Sequence, residues 1–158
     1  RSDALVRLSM VLRASVTLGD AAVAEALDNL KLSRAERRRC DALVGPHPAS
    51  LSSDDAAQIR RVASVLGREY VPDACAVMGF DAAVRARVDE ALEGAPLTSK
   101  ELQISGGELI KEGLVTPGPG VRALLDSLLG WTFEDPSRNT KETLRARAVR
   151  TAADGAAN

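Results

Sequence analysis

The chain has almost no aromatic residues: one Trp, one Tyr and two Phe in 158 positions, 3% of the total. A core of that composition must be built from Ala, Leu and Val, which favours closely approaching helices over a sheet. Histidine is nearly absent too. The single His47 lies between Pro46 and Pro48, where a solvated loop residue is expected. A catalytic base or metal ligand would need partners that the sequence does not supply, and a histidine-aspartate phosphohydrolase domain would need several histidines. The only cysteines, Cys40 and Cys75, have neither short spacing nor metal-like neighbours. They are expected as reduced, buried thiols of a cytosolic protein. No apolar run approaches the roughly 18 residues of a membrane span, and no charged-then-apolar leader precedes the first helix. The expectation is therefore neither signal peptide nor membrane span, and a cytoplasmic location. An opening at Arg1 without Met is what an excised piece of a longer protein would show. Charge of one sign is lacking as well: 21 basic residues stand against 22 acidic, with a pI near 5.9. Such a chain has no global positive field for a polyanion, so any contact with nucleic acid must be local.

What is present is helical periodicity almost throughout. The 45% hydrophobic content suffices for a core, and the length suits one domain or two small ones. Leu5, Leu8, Leu12 and Val16 mark one face of a first helix ended at Gly19, and Asp20 caps a second containing Val23, Leu27 and Leu30. Ser33 precedes Glu36 by three, a capping box, and opens a helix through Cys40, Leu43 and Val44 that Gly45-Pro46 stops. Residues 45–53 carry the longest loop signal. Ser53 or Asp54 then starts a helix with Ile59, Val62, Val65 and Leu66 inward. The adjacent acids Asp54 and Asp55 are read as helix caps, not as a metal-holding pair. Further helices are predicted from Val71 to Met78 and from Asp81 to Leu92. Gly94-Ala95-Pro96 is the expected boundary between a body (1–94) and a smaller tail (95–158). No strand pattern of useful length and no internal repeat is found.

The tail is the most informative part. Ser105 and Glu108 form a second capping box, which predicts a short helix through Leu109 and Ile110 with Gly113 at its C-terminal cap. Thr116-Pro117-Gly118-Pro119-Gly120 forces a turn, with Pro119 suited to the first turn of a new helix. Val121, Leu124, Leu125, Leu128 and Leu129 give that helix an apolar face. Asn139, three residues before Glu142, predicts a third capping arrangement opening a helix through Leu144 and Ala148. The helix start at Gly118 to Gly120 also offers N–H groups and a positive dipole end to a phosphate, the geometry used by helix-hairpin-helix modules.

This order of caps, glycines and apolar runs, from Ile104-Ser-Gly-Gly-Glu-Leu-Ile through Gly-Leu-Val-Thr-Pro-Gly-Pro-Gly-Val-Arg to Asn-Thr-Lys-Glu-Thr-Leu, resembles the C-terminal region of tRNA nucleotidyltransferases, the CCA-adding branch of the poly(A) polymerase family. In the body, Leu27-Asp28-Asn29-Leu30-Lys31-Leu32-Ser33 is similar to a short Leu-Arg-Leu-Ser segment of the family. Ile59-Arg60-Arg61-Val62, followed by Leu66-Gly67-Arg68-Glu69, is similar to the next body helix. The resemblance implies an all-α body and tail that track the acceptor stem and T arm of tRNA, holding it for 3′-end CCA addition by an N-terminal catalytic head in cis. The family's head motifs are a Gly-Ser turn, paired metal-holding aspartates on a strand, and Arg-Arg-Asp and Glu-Asp-x-x-Arg sets. None is present, so no catalytic or metal-binding residue is assigned and no cofactor is expected in this chain. Mg²⁺ and CTP or ATP would belong to the head, and the chain alone is expected to transfer no nucleotide.

Two basic runs could supply the local contact. Lys31 to Arg39 holds five basic residues and one acidic, with Arg34 and Arg38 one turn apart; Arg138 to Arg150 again holds five and one, with Lys141 and Arg145 similarly spaced. Carried over by motif position, the RNA-contacting candidates are Lys111, Arg122, Arg138, Lys141 and Arg145, with Gly118 and Gly120 as main-chain donors, and Arg34 and Arg38 in the body. Recognition of backbone shape and 2′-hydroxyls needs such residues and few aromatics. Two alternatives remain open at the level of sequence: a helix-hairpin-helix protein that binds nucleic acid without tRNA preference, and a helical protein-docking domain with no nucleic-acid role.

Overall fold

A computed structural model describes residues 2–14, 25, 27–45 and 47–156. Among these residues the chain is all-α and contains no strand. The helices are α1 (Ser2–Ala14), α2 (Arg34–Val44), α3 (Ala56–Leu66), α4 (Val71–Val77), α5 (Ala82–Leu92), α6 (Gly106–Lys111), α7 (Pro119–Glu134) and α8 (Lys141–Ala156). Residues 27–29 are also helical; Val16, Gly19, Asp20 and Val23, expected in the first two helices, lie outside the described residues.

The chain divides into two compact units. The first comprises residues 1–54 and 62–90, the second 55–61 and 91–158. The division differs from a single cut after residue 94, because the first half of α3 belongs with the tail. Arg60 gives the reason: its Nε donates to the Ala91 carbonyl at 2.7 Å and its Nη1 to the Phe133 carbonyl at 2.6 Å. One guanidinium thus closes the C-terminal ends of two helices, where carbonyls lack intrahelical partners. Gly94-Ala95-Pro96 is likewise not a solvated linker. Ala95, Pro96 and Leu97 are buried, and the Glu101 carboxylate accepts from the Leu97 N–H at 3.0 Å and the Thr98 hydroxyl at 2.8 Å.

In the first unit α1 packs on α2 and α4. Leu5, Leu12, Leu27 and Cys40 form one core cluster, flanked by Leu8, Leu32 and Val44. The α2 capping box is made: the Glu36 N–H donates to Ser33 Oγ at 3.3 Å, and the Ser33 N–H donates to Glu36 Oε2 at 2.9 Å. Helix α3 starts later than Ser53 or Asp54 would place it. Asp55 is the cap, accepting from the Ala57 N–H at 2.9 Å, while Asp54 pairs with Arg87 at 2.9 Å. Asp81 caps α5 through the Val84 N–H at 2.9 Å. The loop signal at 45–53 resolves into a 3₁₀ turn, His47–Ser52, that buries Pro48 and Leu51 and leaves His47 exposed. Val65, expected inward, is 66% exposed, and Leu30, expected in the second helix, is 46% exposed. Leu30 lies in the turn that ends the 27–29 helical stretch, and Val65 lies beside the better-placed Leu66. Cys40 and Cys75 are free and buried, and burial pushes both thiols up from their ordinary value.

Candidate nucleic-acid interface

The second unit is assembled on α7, which packs against both α6 and α8. Leu124, Leu128 and Leu129 of its predicted apolar face are buried, together with Thr132 and Phe133. Helix α6 starts with the predicted capping box: Glu108 N–H to Ser105 Oγ at 3.3 Å, and Ser105 N–H to Glu108 Oε2 at 2.9 Å. It ends with the Leu114 N–H on the Leu109 carbonyl at 3.0 Å and the Gly113 N–H on the Ile110 carbonyl at 2.9 Å. This is a Schellman closure, with Gly113 at φ 71° in the left-handed region that an L side chain avoids. At Gly106 the constraint is space. A Cβ there would lie 2.6 Å from Val121 Cγ1, so a glycine is what lets the start of α6 approach α7.

Helix α8 is capped one residue later than the sequence suggests. Thr140 Oγ1 accepts from the Thr143 N–H at 3.3 Å. Asn139 instead receives the Gln103 N–H on Oδ1 at 2.9 Å and donates from Nδ2 to the Glu101 carbonyl at 3.0 Å. The Asn of the motif therefore pins the 101–103 segment to the start of α8.

The candidate cations fall into two groups. Lys141 pairs with Glu108, and Arg145 Nε lies 2.7 Å from Glu112 Oε2, so successive turns of α8 are tied to α6. Glu108 is held by three groups at once: Lys141 foremost, then the Ser105 backbone N–H and hydroxyl bring its carboxyl down to about 2. The same pair raises Lys141. Arg138 donates from Nη1 to the Trp131 carbonyl at 3.2 Å, and its Nε lies 3.6 Å from Asp135. Its guanidinium and that of Arg147 lie 4.8 and 5.4 Å from the centre of the Trp131 ring. The pairing with Trp131, and with it any role for Arg147, carried no signal in the sequence, since residues seven and sixteen apart meet only in the folded unit.

Lys111, Arg122, Arg34 and Arg38 form the second group. All four are exposed, and Arg122 has only a loose partner, Asp126 at 3.6 Å. Arg34 and Arg38 stand on α2 of the first unit, whereas Lys111, Arg122, Arg138, Lys141 and Arg145 stand on the second. Gly118 and Gly120 are exposed at the start of α7, and no side chain caps that end; Gly118 has φ 143°. Among the described residues no three His, Cys, Asp or Glu side chains gather as a metal site, and no helix is long and apolar enough to cross a membrane. No protein-family model, curated protein or solved structure matches this chain.

Proposed function

We propose that this chain is the tRNA-holding body and tail of a tRNA nucleotidyltransferase, gripping the acceptor stem and T arm while a catalytic head in cis extends the 3′ end. The observation that carries the reading is the 104–145 stretch. Each cap and close approach that gives it the family's pattern has a place in one compact unit: Ser105–Glu108, Gly106 against Val121, Gly113 in its Schellman turn, and Asn139 on the 101–103 segment. The uncapped, exposed start of α7 and the exposed Lys111 and Arg122 give this unit donors for backbone phosphate.

The test is a titration of the chain against labelled tRNA at two salt concentrations, with duplex DNA as competitor. Backbone binding must weaken steeply with salt, and tRNA must compete better than duplex DNA. Equal competition would instead favour a general nucleic-acid binder of helix-hairpin-helix type. The chain alone incorporates no labelled CTP or ATP; incorporation would overturn the assignment of chemistry to a separate head.

One observation favours the docking reading. An apolar groove of about 280 Å³ in the second unit is lined by Leu114, Val115, Ala123, Leu124 and Ala152. Salt-independent binding to a protein, with no affinity for RNA at low salt, would put that reading first.

A further inference from the structure

The two basic runs are alike in sequence, and the structure separates them. In the tail run, Arg138, Lys141 and Arg145 each face an acid, Asp135, Glu108 and Glu112, and Arg147 lies over the Trp131 ring, which leaves Arg150 exposed at the end of the run. In the body run, Arg37 draws in both Asp28 and Asp41, and Arg39 takes Asp73. Lys31, Arg34 and Arg38 are left exposed, with no carboxylate partner among the described residues.

Each of these three cations works against the fold. Arg34 is the first residue of α2 and Arg38 stands four residues on, on the same face, so two like charges are stacked about 6 Å apart along the helix, with Arg34 at the positive end of the helix dipole. Lys31 has φ 48°, the one non-glycine residue at positive φ among those described, in a conformation that glycine or asparagine adopts more readily. Local rules broken without compensation in the fold mark positions kept for another purpose.

We infer that Lys31, Arg34 and Arg38 form the primary phosphate-contacting patch of this chain, and that Lys141 and Arg145 are struts between α8 and α6. The partner class is the phosphodiester backbone of double-helical RNA, and this assignment rests on the proposed tRNA-holding function. Two arginines one helical turn apart suit successive phosphates of one strand, and none of the three needs a base edge.

The experiment compares the unaltered chain with R34Q/R38Q and with K141Q/R145Q, reading tRNA affinity against salt and thermal melting in parallel. R34Q/R38Q is expected to flatten the plot of log affinity against log salt by about two, with no loss of melting temperature. K141Q/R145Q, measured below its own melting temperature, is expected to keep the parent slope and melt lower. The assignment falls, with the tRNA reading intact, if K141Q/R145Q flattens the slope and R34Q/R38Q does not. Absence of salt-sensitive tRNA binding by the unaltered chain overturns the tRNA reading. In that case inorganic polyphosphate decides the patch: binding lost in R34Q/R38Q retains it as a polyanion site, and no binding removes it.

Discussion

Helices α2 and α6 open with the same device. Ser33 and Glu36, and Ser105 and Glu108, make matching pairs of cap bonds, 3.3 and 2.9 Å in each case. The residues just after the cap differ. The first helical residue of α2 is Arg34, extended into solvent; the first of α6 is Gly106, held where a Cβ would strike Val121. The acid of the second box also anchors Lys141 from another helix. A capping box is thus a local signal whose wider role depends on what the fold brings to its free faces. In the tail it becomes the node that joins α6 to α8; in the body it precedes a row of cations left in water.

The sharpest way to break this comparison is to place a methyl group at the first position of each helix. G106A should lose about 1–3 kcal/mol, the range for overpacking against a stiff β-branched neighbour. R34A should stay within about 0.5 kcal/mol of the parent, as surface substitutions do. Chemical denaturation followed by the single Trp131, which reports the second unit, together with helical circular dichroism, measures both. Equal effects would mean that the close approach at Gly106 is not required.

Removing the cap hydroxyls comes next in size. S33A and S105A should each lose about 0.5–2 kcal/mol, again by denaturation. Matching losses would show that the boxes are equivalent as caps; a loss at only one would show that its neighbours carry the other.

A smaller effect separates the two acids' surroundings by pH. Glu108 is shifted from 4.5 down to about 2 in the folded chain, chiefly by Lys141 and then by Ser105. A carboxylate held below its unfolded value stabilises the fold above that value and stops doing so as it protonates. Its contribution is therefore present above pH 4.5 and disappears as the pH falls from there toward about 2. The melting temperature read by Trp131 should drop through that window, and E108Q should show less of the drop. Asp135, lowered mainly by Ser137, retains a part of it in the variant. An unchanged acid profile in E108Q would remove Glu108 from this role.

Several features of the site were legible in the sequence because their physics is local. Both Ser–x–x–Glu boxes, the Gly113 turn, Pro119 in the first turn of α7 and the leucines of α7 depend only on residues within a few positions. The Asn139 cap was misread for a related reason. Asn139 and Thr140 are both competent caps, and the choice turned on Gln103 and Glu101, which reach Asn139 only through the fold. Gly94-Ala95-Pro96 carried a boundary's composition, yet Ala95 and Pro96 are buried beside Leu97, whose N–H the Glu101 carboxylate satisfies. Arg60 looked like any surface arginine of an amphipathic helix until the ends of α5 and α7 supplied carbonyls for it.

The sequence by itself determined that the chain is helical, where most helices begin and end, and which leucines and valines face inward in most helices, Val65 being an exception. Helical periodicity, caps and glycine turns act within one or two turns of chain. Tertiary structure alone decided which charges are spent on the fold and which remain in solvent. Within basic runs of like composition, single cations were sorted by whether an acid came to face them, as Glu108, Glu112 and Asp73 do for Lys141, Arg145 and Arg39, or only water, as for Arg34 and Arg38, and charge pairing across tens of residues is a property of packing.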